Sequence, residues 1–248
     1  MYSLCFRRPL RPVERRAEQR PCCLVVDDDA VCRTQLQRQL RALGLDTLGA
    51  GTLHEALSLI ARYRPAMVVT DHHLPDGDGC ALARRIRASP QSGSVRLVGV
   101  SALAGSTHRQ RCLRAGIDQV LGKPASLPEL ASALGLDAGA AHSATCSTPT
   151  GFSTSLRELY QDSCLRDLAA LQQAVRRHDR ERARAYAHRI RGASQLMGNH
   201  AVAGIAAVLE RVHADRRTDV LAQAHAVRML GQLLGGDAGG VKSTRHAG

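Results

Sequence analysis

Short apolar runs alternate with longer amphipathic stretches between residues 21 and 135, and this alternation restricts the fold of the 248-residue chain more than any other feature. Short runs bounded by turn signals are typical of buried strands, whereas apolar residues spaced by three and four predict helices. The predicted strands are Cys23 to Val26, Asp46 to Ala50, Ala66 to Thr70, Arg96 to Val100 and Gln119 to Leu121. The pattern predicts an α/β doubly wound five-stranded parallel sheet with helices on both faces.

Local signals predict where the helices of this region begin and end. The first helix is predicted over about residues 30 to 43, before Gly44. Thr52 followed by Glu55 predicts an N-cap with a capping box for the second helix. The later helices are predicted to begin near Gly79, near Thr107 and after Ser126.

The second half of the chain has helical periodicity and no strand pattern. Four segments with apolar residues at intervals of three and four predict an all-α four-helix bundle over residues 153–234. Residues 136–152 are rich in Gly, Ala, Ser and Thr and predict a flexible linker between domains 21–135 and 153–234. We expect the basic arm, 1–20, and the tail, 235–248, to be disordered.

Charge and composition exclude several classes of function. The net charge of +12 suggests nucleic acid or anionic lipid as partners, but outside the Arg-rich arm the charge is diffuse. Aromatic residues make up only 2% of the chain, so stacking-based binding of nucleic acid is not expected, and we expect the arm to be a solvated tail.

No apolar run approaches the ~18 residues of a membrane span, and the start lacks the apolar core of a signal peptide. A cytoplasmic protein is expected.

The eight cysteines include no Cys-x-x-Cys pair, and Cys22 and Cys23 are adjacent. This spacing favours neither a zinc site nor a disulfide framework. Reduced and mostly buried thiols are the expectation.

Polar residues follow four of the predicted strands. Ligands of doubly wound sheets bind beyond the carboxyl ends of the strands. Carboxylates crowded there repel one another and favour a hard cation such as Mg²⁺. A carboxylate can also attack a phosphoryl group, whose charge a metal, a hydroxyl and an ammonium would stabilise. The residues at these ends are Asp27-Asp28-Asp29, Asp71, Ser101 and Lys123-Pro124.

Lys123 is unusual because only Lys123 and Lys242 among the 34 basic residues are lysines. The chain uses arginine almost everywhere else. A compact ammonium differs from a planar guanidinium in being a point charge. This choice favours contact between Lys123 and a phosphoryl oxygen.

Four motifs in this order resemble the flavodoxin-like receiver domain of two-component response regulators, over about residues 22–135. They are Leu-Val-Val-Asp-Asp-Asp, Val-Val-Thr-Asp-His-His-Leu-Pro-Asp-Gly-Asp-Gly, Val-Ser-Ala and Gly-Lys-Pro. The resemblance implies that Asp71 is the phosphoacceptor and that Asp27 and Asp28 bind Mg²⁺ with it. It also implies that Ser101 contacts the phosphoryl group and that Lys123 forms an ion pair at the site.

Further positions follow from the same resemblance. The main-chain carbonyl of His73 is implied to bind Mg²⁺, and a cis peptide is implied before Pro124. Two positions depart from the family pattern. Val120 stands where many receivers have the aromatic residue of a switch, and Ala125 stands where a large residue is common. Aromatic switching and the usual packing of this loop are therefore not expected.

The stretch Ala187-His188-Arg189-Ile190-Arg191-Gly192 falls in the middle of a predicted helix. His188 is predicted to lie off the apolar stripe as an exposed imidazole, with Arg191 and Gly192 on its face at i+3 and i+4. A mid-helix glycine costs about 0.8–1.0 kcal/mol relative to alanine. Close approach of another protein surface would explain Gly192.

This stretch resembles the histidine phosphotransfer (HPt) domain over about residues 153–234. His178-Asp179 and Leu196-Met197-Gly198 contribute to the resemblance. It implies that His188 carries a phosphoryl group. Arg191 stands where the family usually has lysine, which keeps the positive charge.

The two resemblances together predict a two-component phosphorelay intermediate, an arrangement similar to the C-terminal part of unorthodox hybrid sensor kinases. A sensor histidine kinase would phosphorylate Asp71, and His188 would exchange the group with Asp71 or with a downstream receiver. The chain has no Gly-rich ATP-binding loop, so a carrier is predicted rather than an ATP-using kinase. The alternative is a DNA-binding regulator whose C-terminal helices form a helix-turn-helix. A scaffold that is never phosphorylated is disfavoured by the complete acidic pocket.

Overall fold

The computed structural model describes residues 20–89, 94–102, 105–136, 154–214 and 220–236. Almost all of the predicted arm and linker, and the tail after Gly236, lie outside the described residues. Their predicted disorder stays a prediction.

The first half of the chain forms a five-stranded parallel sheet in the order β2-β1-β3-β6-β7. This confirms the predicted fold class. An antiparallel pair, β4 with β5, was not predicted and follows β3. The strands are β1 (Cys22–Val26), β2 (Asp46–Ala50), β3 (Met67–Asp71), β4 (His73–Leu74), β5 (Gly77–Asp78), β6 (Arg96–Ser101) and β7 (Gln119–Gly122).

Within the described residues, five helices accompany this sheet and four more follow. We call residues 22–134 the sheet domain and helices α6 to α9 the helical bundle. None of the helices in the described ranges is long and apolar enough to span a membrane. The helices are α1 (Ala30–Ala42), α2 (Leu53–Tyr63), α3 (Gly79–Ala88), α4 (Ser106–Arg114), α5 (Leu127–Leu134), α6 (Thr154–Arg176), α7 (Arg180–Leu196), α8 (His200–Ala214) and α9 (Val220–Gly236).

The central strands are buried on both faces because helices cover both sides of the sheet. Alternate residues of β1 point to opposite faces, so Leu24 packs in one apolar layer and Val25 in the other. Both side chains are fully buried. Full burial of such a side chain stabilises the fold by about 1.5–3 kcal/mol. The sheet therefore holds the carboxyl ends of β1 and β3 side by side.

Side-chain caps fix the starts of several helices. Ser126 and Glu129 form the complete capping box of α5. At α2, the Thr52 side chain accepts from the Glu55 N–H, but the Glu55 carboxylate accepts from the N–H of Gly51 at 2.8 Å. The capping box predicted for α2 is therefore only half formed, since the glutamate reaches one residue beyond the cap.

The helical bundle packs around its own apolar core and also against α1. Leu171, Ile190 and Leu209 are fully buried in this core. Val31 of α1 is buried in the same apolar cluster. The sheet domain and the helical bundle therefore share part of a core, and this contact places α7 over the carboxyl ends of the strands.

Candidate functional site

Three carboxylates converge at the carboxyl ends of β1 and β3. Asp27, Asp28 and Asp71 each present an oxygen within 4.8 Å of the other two. Asp27 and Asp71 are buried, and Asp28 is half-buried. An all-oxygen set of this kind fits the preference of Mg²⁺ for carboxylates and water. Asp29, the third residue of the acidic run, instead caps α1 by accepting from the N–H groups of Val31 and Cys32.

Lys123 joins two of these carboxylates. Its Nζ lies 2.7 Å from Asp27 Oδ2 and 2.7 Å from Asp71 Oδ2. Burial alone would lower the pKa of Lys123, but Asp27 and Asp71 outweigh it and raise this pKa well above its usual value. The lysine therefore stays charged inside the site. The peptide bond between Lys123 and Pro124 is cis, as the resemblance implies.

The three carboxylates can carry more negative charge than the single positive charge of Lys123 balances. Burial raises the pKa of Asp27 to about 7, against the ammonium of Lys123. Burial likewise raises the pKa of Asp28 to about 6, against the guanidinium of Arg189. Burial acts on Asp71 in the same direction, but Lys123 and His188 prevail and lower the pKa of Asp71. A divalent cation at this cluster would balance the excess negative charge.

Ser101 and His73 complete the predicted set in the sheet domain. Ser101 ends β6 and is buried, and its carbonyl accepts from the Lys123 N–H at 2.9 Å. His73 begins β4, two residues after Asp71. Its ring Nδ1 is buried without a hydrogen-bond partner among the described residues, and this imidazole faces the helical bundle.

His188 is buried, which corrects the prediction of an exposed imidazole. Only 6% of its surface is exposed. Its ring packs on the ring of His73, with 4.4 Å between centroids, because the sheet domain covers this face of α7. The helical pattern identified the face correctly, but it contained no information about the surface that covers it.

Glu210 of α8 contacts His188, a role that no motif in the sequence indicated. The distance from His188 Nδ1 to Glu210 Oε1 is 3.0 Å. Burial opposes the charge of Glu210, but His188 and Arg191 outweigh burial and lower the pKa of Glu210. An ionised Glu210 accepts a hydrogen bond from Nδ1–H, so in the neutral form of the imidazole Nε2 is the ring nitrogen with the lone pair. The only sequence signal was a charged residue among the apolar residues of α8.

Arg191 and Arg189 connect the helical bundle to the sheet domain. Arg191 Nη1 donates to Glu210 Oε2 at 2.6 Å, and its Nη2 donates to the carbonyl oxygen of Ala102 at 3.0 Å. Arg189 Nη1 lies 3.3 Å from Asp28 Oδ2, and Arg189 also pairs with Asp167 of α6. No sequence motif assigned a role to Arg189. Its only signal was its place beside His188 in an Arg-rich helix.

Gly192 lies where α7 approaches α1. A Cβ atom added at Gly192 would lie 3.8 Å from Cys32 Sγ, which is ordinary van der Waals contact. The structure therefore has room for a methyl group at this position. The surface that faces Gly192 is part of the same chain, and its distance does not by itself require a glycine, so close approach of a partner stays a prediction.

The arrangement brings the two proposed phosphoacceptors, Asp71 and His188, to opposite sides of one contact. Asp71 lies with Lys123 and the acidic pair, and the ring of His188 packs against the ring of His73, two residues after Asp71. An imidazole with a free nitrogen, a carboxylate, a buried ammonium and a cation site are the groups that phosphoryl exchange requires. The elements of the site come from both halves of the chain.

Comparisons with known proteins agree with this division. Residues 23–135 match the response regulator receiver domain, and residues 155–235 match the Hpt domain. The Hpt match covers the helices that the alternative assigned to a helix-turn-helix. The structure of a response regulator receiver protein from Pseudomonas putida is 31% identical, with a TM-score of 0.44, over 48% of this chain and 99% of that chain.

Two curated relatives are sensor proteins. Sensor histidine kinase RcsC of Salmonella typhi is 38% identical over 112 residues, 45% of this chain and 12% of that protein. Sensor protein EvgS of Escherichia coli is 28% identical over 213 residues, 78% of this chain and 18% of that protein. The chain thus spans less than a fifth of the length of either relative. Through residues 23–135 the chain belongs to the response regulator receiver family, and through residues 155–235 it carries an Hpt domain.

Proposed function

We propose that the chain is a two-component phosphorelay intermediate in which Asp71 and His188 exchange a phosphoryl group within one molecule. The observation that carries this proposal is the contact of His188 with His73, which lies two residues after Asp71. The contacts of Arg189 with Asp28 and of Arg191 with Ala102 support the same docking. Matches to a receiver domain and an Hpt domain in one chain support the two roles.

The exchange transfers one phosphoryl group between two nucleophiles. In one direction, His188 Nε2 attacks phosphorus on phospho-Asp71, the acyl oxygen–phosphorus bond breaks, and the carboxylate of Asp71 is regenerated. Lys123 Nζ, 2.7 Å from Asp71 Oδ2, would stabilise negative charge on the transferring oxygens, and the Ser101 hydroxyl would donate a further hydrogen bond. When bound by Asp27, Asp28, Asp71 and the His73 carbonyl, Mg²⁺ would supply positive charge to the phosphoryl oxygens.

Glu210 and Arg191 are positioning residues for His188. Accepting the Nδ1–H of His188 fixes the tautomer that keeps Nε2 nucleophilic. Arg191 holds Glu210 and also reaches the Ala102 carbonyl beyond β6. The arginine thus links the orientation of the imidazole to the docking of α7.

The proposed partners are a sensor histidine kinase as donor and the receiver domain of a second response regulator as acceptor. Asp71 is only 2% exposed when the helical bundle covers it. A kinase can therefore reach Asp71 only after the helical bundle moves away. The predicted flexible linker would allow this, since a chain of about 15 residues has an r.m.s. reach of roughly 20 Å.

Chemical stability of the phosphoryl groups tests the proposal. The full chain is incubated with acetyl phosphate and Mg²⁺, and acid-labile phosphohistidine is separated from base-labile acyl phosphate. We expect both in the wild type and only acyl phosphate in His188→Gln. We expect neither in Asp71→Asn, because a small donor reaches His188 through Asp71.

Matched variants make this experiment specific. Asp28→Asn should lose labelling because Mg²⁺ binding is weakened, whereas exposed Asp46→Asn and His200→Gln should label like the wild type. Phosphohistidine in Asp71→Asn, or full labelling of Asp28→Asn, would contradict the proposed site.

A further inference from the structure

A second cluster of metal-ligating side chains lies outside the acidic site. It contains His72, directly after β3, Cys80 in the first turn of α3, and His108 and Cys112 one turn apart on α4. His72, Cys80 and Cys112 are buried, and His108 is half-buried. We call these four residues the His/Cys cluster.

The donor atoms of the His/Cys cluster lie close together. Cys80 Sγ is 3.7 Å from Cys112 Sγ and 4.0 Å from His72 Nδ1. Cys112 Sγ is 3.6 Å from His108 Nε2. The rings of His72 and His108 meet edge to face with 4.2 Å between centroids. The donor atoms of His72, Cys80 and Cys112 all lie within 4.8 Å of one another, and His108 adjoins this group through Cys112.

The distances from Cys112 Sγ to Cys80 Sγ and to His108 Nε2 match edges of a zinc tetrahedron. With Zn–S bonds of about 2.3 Å and Zn–N bonds of about 2.0–2.1 Å, two sulfurs are about 3.8 Å apart and a sulfur and a nitrogen about 3.6 Å apart. Two of the three observed sulfur distances agree within about 0.1 Å. To complete the tetrahedron, the ring of His72 must move a few tenths of an ångström toward Cys80, and the half-buried ring of His108 must turn toward the other three donors.

We propose that His72, Cys80, His108 and Cys112 form a tetrahedral Zn²⁺ site in the sheet domain. Two thiolates and two imidazoles are a common ligand set of structural zinc sites. On binding, each thiol releases its proton to solvent, so the two thiolates balance the charge of the ion.

The ring proton of His72 also has to be placed. Binding through Nδ1 leaves this proton on Nε2, the ring nitrogen that Arg111 contacts. Arg111 must therefore turn away from the ring. Its side chain is exposed, so the movement displaces no packed group.

Zinc would tie together the end of β3, α3 and α4. The backbone N–H of His72 donates a hydrogen bond to Asp71 Oδ1, so one of the proposed zinc ligands belongs to a residue that contacts the proposed phosphoacceptor. The spacing of the cysteines, with 31 residues between them, hides this site from a search for Cys-x-x-Cys pairs. Binding to the folded state alone would also stabilise the sheet domain.

The experiment is cobalt and zinc titration of the full chain, reduced and freed of metal, with excess Mg²⁺ to fill the carboxylate site. Co²⁺ bound to thiolates has a charge-transfer absorption that carboxylate ligands do not produce. We expect this band to saturate at one Co²⁺ per chain and to disappear when Zn²⁺ displaces the cobalt. Zn²⁺ should also raise the melting temperature.

Variants assign the band to the His/Cys cluster. Cys80→Ser with Cys112→Ser should abolish it. His108→Gln, at a half-buried position that tolerates change, should weaken affinity at least roughly 10-fold, the lower range for loss of a ligand's supporting contact. Cys22→Ser and exposed His54→Gln should bind like the wild type, and so should His188→Gln, which separates this test from that of the relay.

Three outcomes would overturn the proposal. One is the absence of a thiolate–cobalt band in the folded wild type. Another is a band that His108→Gln and the double cysteine variant both leave unchanged. The third is a Cys80–Cys112 disulfide, detected by mass spectrometry, that forms in air as fast with Zn²⁺ as without it, because bound zinc would protect both thiols.

Discussion

Arg189 and Asp28 form an ion pair between the helical bundle and the sheet domain, with 3.3 Å between Nη1 and Oδ2. Asp28 is also one of the three carboxylates proposed to bind Mg²⁺. The guanidinium of Arg189 and a bound Mg²⁺ would therefore compete for the carboxylate of Asp28. Docking of the helical bundle and occupancy of the metal site are expected to be coupled.

Arg189→Gln should raise the affinity of the full chain for Mg²⁺. Removing the competing cation is worth about 1 kcal/mol for a partly exposed pair, or roughly a fivefold change in the dissociation constant. Isothermal titration with Mg²⁺ measures it, and Arg182→Gln, which removes an exposed arginine of the same helix, is the control. An affinity that is unchanged or weaker would show that Arg189 does not act on the metal site.

Lys123→Arg should fail to support phosphorylation although the charge is kept. Nζ lies between two buried carboxylate oxygens at 2.7 Å each, and a planar guanidinium does not fit this geometry. We expect uptake from acetyl phosphate to fall about 10²-fold, the usual loss for a donor to a transferring oxygen. The rates are compared at matched thermal stability. Equal rates would mean that any cation suffices at this position.

Small and large side chains at position 192 should have different effects. An added Cβ has 3.8 Å to Cys32 Sγ, so Gly192→Ala should fit and should stabilise α7 by up to about 1 kcal/mol. Gly192→Leu should push α7 away from α1 and slow exchange between Asp71 and His188. Phosphohistidine formation after labelling with acetyl phosphate measures the effect. Similar rates in the leucine variant and the wild type would refute close docking.

Glu210→Gln should destabilise the chain by about 1–2 kcal/mol near neutral pH, because a charged acceptor of two buried contacts is lost. The pKa of Glu210 is below its usual 4.5 in the folded state. The contribution of Glu210 to folding stability is therefore complete above pH 4.5, and it disappears as the pH falls through the lower pKa of the folded state. Denaturant unfolding of both proteins from acid to neutral pH measures the difference. A difference that grows toward acid pH would contradict the assigned ion pair.

The sheet domain was largely predictable from local patterns. The predicted strand Asp46 to Ala50 coincides with β2, and β3 is displaced by one residue. Apolar runs determine such strands because both faces of the sheet are buried. The strand ends then bring Asp27, Asp71 and Lys123 together through topology alone.

The contacts between the two halves were not predictable in the same way. Glu210 is 22 residues from His188, and Arg189 is 161 residues from Asp28. Helical periodicity describes one face of one helix and carries no information about which surface covers it. For this reason His188 was expected to be exposed, and the His/Cys cluster was not recognised.

The most direct test of exchange within one chain is its dependence on concentration. A tether of this length gives an effective concentration in the millimolar range, so exchange within a chain should exceed exchange between chains about 10²-fold or more at micromolar protein. We predict that transfer from phospho-Asp71 to His188 keeps the same rate constant on dilution and that a mixture of Asp71→Asn with His188→Gln transfers far more slowly. A rate that falls in proportion to concentration, with the mixture as fast as the wild type, would contradict the account.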